Sequence, residues 1–118
     1  MEGQKLQIQE ELLLAKQSRI EGNEGRARVC ARRAAGAAVQ DYLTREGLST
    51  DPGNAIQSLV LLKSSLDLPQ RVEAAVDWLL QRVDEDYSLP PQVDLIQESE
   101  IVIQFINAVH RDESSTTD

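Results

Sequence analysis

Glu24-Gly25-Arg26-Ala27-Arg28-Val29-Cys30-Ala31-Arg32-Arg33-Ala34-Ala35-Gly36-Ala37-Ala38-Val39-Gln40-Asp41-Tyr42-Leu43-Thr44-Arg45-Glu46 is the stretch on which the fold turns. Ala27, Cys30, Ala31, Ala34, Ala38 and Tyr42 recur three and four apart, which is one face of an α-helix. Nearly all are small, so a second helix backbone can come close. Val29, Gly36 and Leu43 stand seven apart on the opposite side. A helix apolar on two opposite sides is contacted on both. The stretch therefore reads as the central helix of a bundle, or as a helix packing on its own bundle and on a partner chain.

Working outward, Gly22 and Gly47 supply stops on either side, and Asn23 can cap the central helix. Before it, Leu6, Leu13 and Ile20 repeat every seven residues beside Ile8 and Leu12, predicting a first helix over about Gln4 to Glu21. After it, Ser49-Thr50-Asp51-Pro52 reads as a cap at Asp51 with proline at the first helical position. The third helix then spans about Pro52 to Leu66, with Ile56, Leu59, Leu62 and Leu66 on one side. Leu68-Pro69 restarts the chain into a fourth helix, about Pro69 to Val83, striped by Val72, Ala75, Val76, Leu79, Leu80 and Val83. A loop with Tyr87, Pro90 and Pro91 covers Asp84 to Gln92. The last helix, about Gln92 to Arg111, is faced by Leu95, Val102, Phe105, Ile106 and Val109, widened by Ile96 and Ile103.

The expectation is an all-α, compact antiparallel bundle of four to five helices. One domain covers residues 1–111, and a disordered polar tail covers 112–118. Apolar residues make up 41% of the chain and aromatics 3%, so Ala, Leu, Val and Ile must fill the core. That composition suits close helix packing better than a β-sandwich.

Charge and cysteine content narrow the function classes. The net charge is −8, concentrated in the second half; residues 1–50 carry eight basic against seven acidic side chains. Such a chain does not bind nucleic acid by bulk charge, so any anion-binding surface is local and lies in the first half. A single cysteine, Cys30, rules out an internal disulfide, and with a single histidine it argues against a structural zinc site. No cofactor is implied. No charged-then-apolar leader and no apolar run of about twenty residues is present, so the expected compartment is the cytoplasm, with no membrane contact.

Catalytic constellations are absent from the pattern. His110 falls at a helix end, where the macrodipole favours a solvated imidazole, and Asp84, Glu85 and Asp86 are consecutive rather than at alternate positions as metal ligands require. The feature with most chemistry is Arg26, Arg28, Arg32 and Arg33. Guanidinium groups bind phosphate or carboxylate at two points. On the helical wheel Arg28 and Arg32 lie on one flank of the alanine face and Arg26 and Arg33 on the other. Three uses stay open: pairing with Glu21, Glu24, Asp41 and the acidic later helices, contact with a partner protein, or contact with RNA phosphate. Trp78 lies beside its stripe, as an interface residue or under a neighbouring helix. Ile101 and Val29 add apolar positions that five helices cannot all hide, which points to an exposed patch covered by a partner.

From Ala15 to Val109 the layout resembles the HEPN-like bundles, prokaryotic helical domains often paired with nucleotidyltransferases. The resemblance is carried by the long first helix, the turn Glu21-Gly22-Asn23-Glu24-Gly25, the alanine-rich Ala27–Leu43 helix ending in Gly47, and the leucine helix that follows. Asp86-Tyr87-Ser88-Leu89-Pro90 before a final apolar helix belongs to it as well. The segment from Gly22 to Gly36 looks like one found in uncharacterised bacterial proteins of this sort. The resemblance implies a homodimer, and a bacterial protein in a paired system of the toxin–antitoxin kind. Active members of that family are metal-independent ribonucleases, whose signature is an arginine and then a histidine after four to six intervening residues. Here the positions that would pair with His110 hold Ile103, Gln104 and Phe105, so no catalytic residue carries over. The sequence thus predicts a non-catalytic interaction module that self-associates and binds a protein partner. The alternative is an RNA-binding or ribonuclease-type protein using the arginine-rich helix.

Overall fold

The computed structural model describes residues 2–48, 54–81 and 93–115, with side chains placed over 6–48, 54–81 and 93–109. Within them the chain forms α1 (Glu2–Ile20), α2 (Glu24–Arg45), α3 (Ala55–Ser65), α4 (Gln70–Leu80) and α5 (Leu95–Ser115), and no strand. The all-α bundle read from the sequence is what the chain adopts.

α2 is the central helix. It packs on α1, α3 and α5, while α4 closes the bundle against α5 and α3. Its alanines explain the position. Ala27, Ala31, Ala34 and Ala35 are completely buried, so neighbouring backbones approach without voids. Gly22, at φ 82°, makes the left-handed stop between α1 and α2, and Asn23 caps α2 by accepting from the Arg26 amide at 3.1 Å. Three residues suffice for this reversal, so α1 and α2 run antiparallel. Gly47, at φ 83°, ends α2 in the same way.

Gly36 serves packing rather than a turn. A Cβ there would lie 2.6 Å from the Ala55 Cα and closer still to the Ala55 Cβ. The first turn of α3 is thus laid directly on the α2 backbone. Leu59 and Leu62 of α3, Leu79 of α4, and Leu95 and Val102 of α5 fill the space around Val39 and Leu43. A buried polar bond crosses this core: the Ser99 hydroxyl donates to the Ala31 carbonyl at 2.8 Å, tying α5 to α2.

Several boundaries differ from the sequence reading. α3 begins at Ala55, not Pro52. Asn54 is the cap, accepting from the Gln57 amide at 2.9 Å, and the expected Asp51–Pro52 start lies outside the described residues. α4 ends at Leu80, because Gln81 is already extended. α5 starts at Leu95, since Asp94 takes the capping role by accepting from the Ile96 amide at 3.0 Å. It runs to Ser115, four residues into the segment assigned to the polar tail, and residues 116–118 lie outside the described ones, as does the loop at 84–92.

The repeat in α1 carries no direction in the sequence, and the structure supplies one. Its heptad residues Leu6, Leu13 and Ile20 do not face the bundle. The buried side of α1 is carried by Ala15 and Ser18, which sit against the small residues of α2. Two surfaces of small side chains let the helix axes come close, and that gain outweighs the pull of three large side chains on the other face.

Candidate interaction surface

Among the described residues, the turned-out row on α1 gathers the most exposed large apolar side chains on one helix. Leu6, Leu13 and Ile20 are 57%, 66% and 85% exposed, all on the side of α1 opposite α2. Single exposed leucines are ordinary; these three line up on one face, about 10.5 Å apart along the axis, with Gln9, Glu10, Lys16 and Gln17 between them. A seven-residue spacing drifts only about 20° per repeat around a straight helix, so the three side chains stay in line. The flanks of this row are polar and of opposite character. Gln9 and Lys16 lie along one side; Glu10, Gln17 and Glu21 lie along the other. Glu21 follows the helical path beyond α1, its amide donating to the Gln17 carbonyl at 3.0 Å.

The residues singled out from the sequence distribute differently. Arg32 is turned inward, where its Nε donates to the Leu79 carbonyl at 2.7 Å and so caps the C-terminus of α4. Burial lowers the pKa of its guanidinium. Arg28 lies 3.9 Å from Glu24. Arg26 and Arg33 are exposed on α2, and among the described residues their side chains make no ion pair. The four arginines therefore form two structural contacts and two free cations. Val29, on the same helix, is 42% exposed. Trp78 and Ile101 are half-buried against the core.

Two ion-pair clusters escaped the sequence reading. Arg19 donates to both oxygens of Glu24, at 3.0 and 2.8 Å, and to both of Asp94, at 2.9 Å each. One guanidinium thus pins the end of α1 to the starts of α2 and α5, and these bonds, Glu24 first, hold its pKa above the ordinary value. Arg71 makes a two-point pair with Glu98 at 2.7 and 2.6 Å, joining α4 to α5 over a buried carboxylate. The spacing of Glu24 from Arg19 across the Gly22 turn was a local signal for the first cluster. The second joins positions 71 and 98, and nothing short-range announces it.

The Arg19 cluster makes a pH-dependent contribution. The hydrogen bond from Arg19 holds the Glu24 pKa below the usual carboxylate range. A depressed folded-state pKa stabilises above the unfolded value, near 4.3, and is lost as pH falls through the folded one. Replacing Glu24 by Gln is expected to cost less than about 1 kcal/mol at pH 7, because the pair is solvent-screened. The gap between the two proteins should close below pH ~4. Urea midpoints from pH 7 to pH 3 measure this, and a constant gap across that range refutes it.

A cleft among Ile8, Ala38, Tyr42 and Ile106 holds about 40 Å³. That is space for a water or two, against the ~300 Å³ of a small-ligand site. Among the described residues no three His, Cys, Asp or Glu side chains converge as metal ligands, and no helix is long and apolar enough to cross a membrane.

No family model, curated protein or solved structure matches the chain.

Proposed function

We propose that this protein is a non-catalytic helical interaction module that self-associates and binds a protein partner. The observation that carries the reading is the exposed Leu6–Leu13–Ile20 row on α1, apolar side chains that the single chain leaves in water. The HEPN-like layout in the sequence supports the same reading. It favours a bacterial, cytoplasmic homodimer with a partner encoded in a paired, toxin–antitoxin-type system. In the sequence no arginine stands at the ribonuclease spacing from His110, which favours a scaffold role over RNA cleavage.

Light scattering or sedimentation between about 1 and 500 μM tests self-association, a range set by interfaces of one helix pair. The expected result is a mass that rises from one chain toward two, and a variant with Leu13→Asp that stays at one chain. A wild-type protein that remains a monomer throughout overturns the reading.

Arg26 and Arg33 support a second reading, contact with RNA phosphate, since both are exposed and free of ion pairs among the described residues. Titration with a short single-stranded RNA at low salt decides it: binding that weakens as salt rises and disappears when both arginines become Gln supports it, and no binding at low salt ends it.

A further inference from the structure

We infer that the outer face of α2 carrying Arg26, Val29 and Arg33 is a docking surface for an acidic helix of a partner protein. Two carboxylates of that helix pair with the two guanidiniums, on either side of an apolar contact with Val29. This rests on the partner-binding reading above and adds the surface and the chemistry. The distribution of cations points to it. Nine lysine and arginine side chains are placed among the described residues. Six of them hold a carboxylate within 3.9 Å, and Arg32 donates to the Leu79 carbonyl. The two left over, Arg26 and Arg33, are both exposed and share one face. At seven residues' separation Arg33 comes round to within about 20° of Arg26 and stands about 10.5 Å further along the axis. Val29 lies between them and is 42% exposed. Both ends of this face are closed. Three residues beyond Arg33, Gly36 meets Ala55 of α3, and before Arg26 the Gly22 turn leads back into α1.

The charges choose the occupant. Glu24, two residues before Arg26, is bonded to Arg19, so neither guanidinium has a carboxylate of its own among the described residues. An exposed guanidinium binds a planar carboxylate at two points. Carboxylates seven positions apart on a second helix also stand about 10.5 Å apart on one side, so a helix laid along α2 reaches both guanidiniums at once. An apolar residue between the carboxylates then covers Val29 and takes it out of water. RNA suits the same surface less well. Valine offers nothing to a phosphate backbone, and two contacts to a single strand give a salt slope of only about −1.4. The net charge of −8 opposes a polyanion more strongly than a short helix with few charges. Two exposed ion pairs and one small apolar contact make a weak complex, with a dissociation constant on the order of 0.1–1 mM for an isolated helix.

Nuclear magnetic resonance titration of the full, isotope-labelled chain tests the inference. The probe is a capped, alanine-rich helical peptide in which two glutamates seven positions apart flank a leucine. The expected result is a saturable movement of the amide signals between Arg26 and Arg33. Arg26→Gln and Arg33→Gln should each weaken binding about threefold, and the double variant about tenfold. Replacing the peptide's glutamates by glutamines should have the same effect as the double variant. Arg28→Gln should leave binding unchanged, because that guanidinium lies by Glu24. Equal binding of the glutamate and glutamine peptides, or binding that survives the double variant, overturns the inference. So does the absence of any shift up to about 5 mM peptide, well above the expected dissociation constant. A short oligouridine that binds more tightly than the peptide through the same two arginines also overturns it and hands the face to RNA. Light scattering judges the interaction-module reading separately: the double variant should self-associate as the wild type does, and a wild type that stays monomeric removes that reading whatever the peptide does. Circular dichroism of each variant separates lost binding from lost folding.

Discussion

Gly36→Ala is expected to destabilise the protein by about 2 kcal/mol, although alanine is the better helix former by about 1 kcal/mol. On an exposed helix the substitution would stabilise. Here the added methyl has nowhere to go. Its position is 2.6 Å from the Ala55 Cα, and the obstacle is the backbone of α3 rather than the flexible end of a side chain. α3 would have to move outward as a unit, because Asn54 fixes its first turn. Moving α3 lifts Leu59 and Leu62, both fully buried, off Val39 and Leu43. The loss corresponds to roughly 8 °C in Tm for a domain of this size. Urea midpoints with an unchanged slope would register it. Ala55→Gly in the same chain should recover part of the loss by removing one of the two clashing groups. A Gly36→Ala protein as stable as the wild type would mean that α2 and α3 are further apart than described.

Much of this architecture was legible in residue order. Small residues at three- and four-residue spacing on one face of α2, with Val29, Gly36 and Leu43 seven apart on the other, announced a helix contacted on two sides, and α2 is central. Gly22 and Gly47 announced its limits, because a left-handed turn favours glycine. The capping of α3 was less legible. Asp51-Pro52 satisfies every local rule for a helix start, yet Asn54, three residues later, takes the role, and the choice depends on where Ala55 meets Gly36. The Arg71–Glu98 pair was invisible for a related reason: it joins two helices whose relative placement no local pattern encodes. Of the four arginines, the wheel separated Arg26 and Arg33 from Arg28 and Arg32. It could not show that Arg32 completes the end of α4.

The heptad of α1 was legible as a helix and illegible as to direction, and a pair of substitutions expresses the difference. Ala15→Leu is expected to cost about 3 kcal/mol, whereas Leu13→Gln should change monomer stability by no more than about 0.5 kcal/mol. Hydrophobicity alone ranks them the other way, since the first adds apolar bulk and the second removes it. Burial decides. Ala15 is fully buried in the core that also holds Ala27, Cys30 and Ala31 of α2, where one side-chain heavy atom becomes four only if the two helix axes separate. Ser18, one turn on, would lose its close fit to α2 in the same movement. Leu13 is 66% exposed, gives up little on truncation, and passes to glutamine at nearly equal helix propensity. Thermal unfolding in dilute solution, where the proposed pairing would be dissociated, measures both. At high concentration Leu13→Gln should lose the extra stability that mass action gives a dimer, while Ala15→Leu remains destabilised at every concentration. Stability that falls on Leu13→Gln even in dilute solution would place that side chain against the core, and with it would go the surface on which the proposed self-association depends.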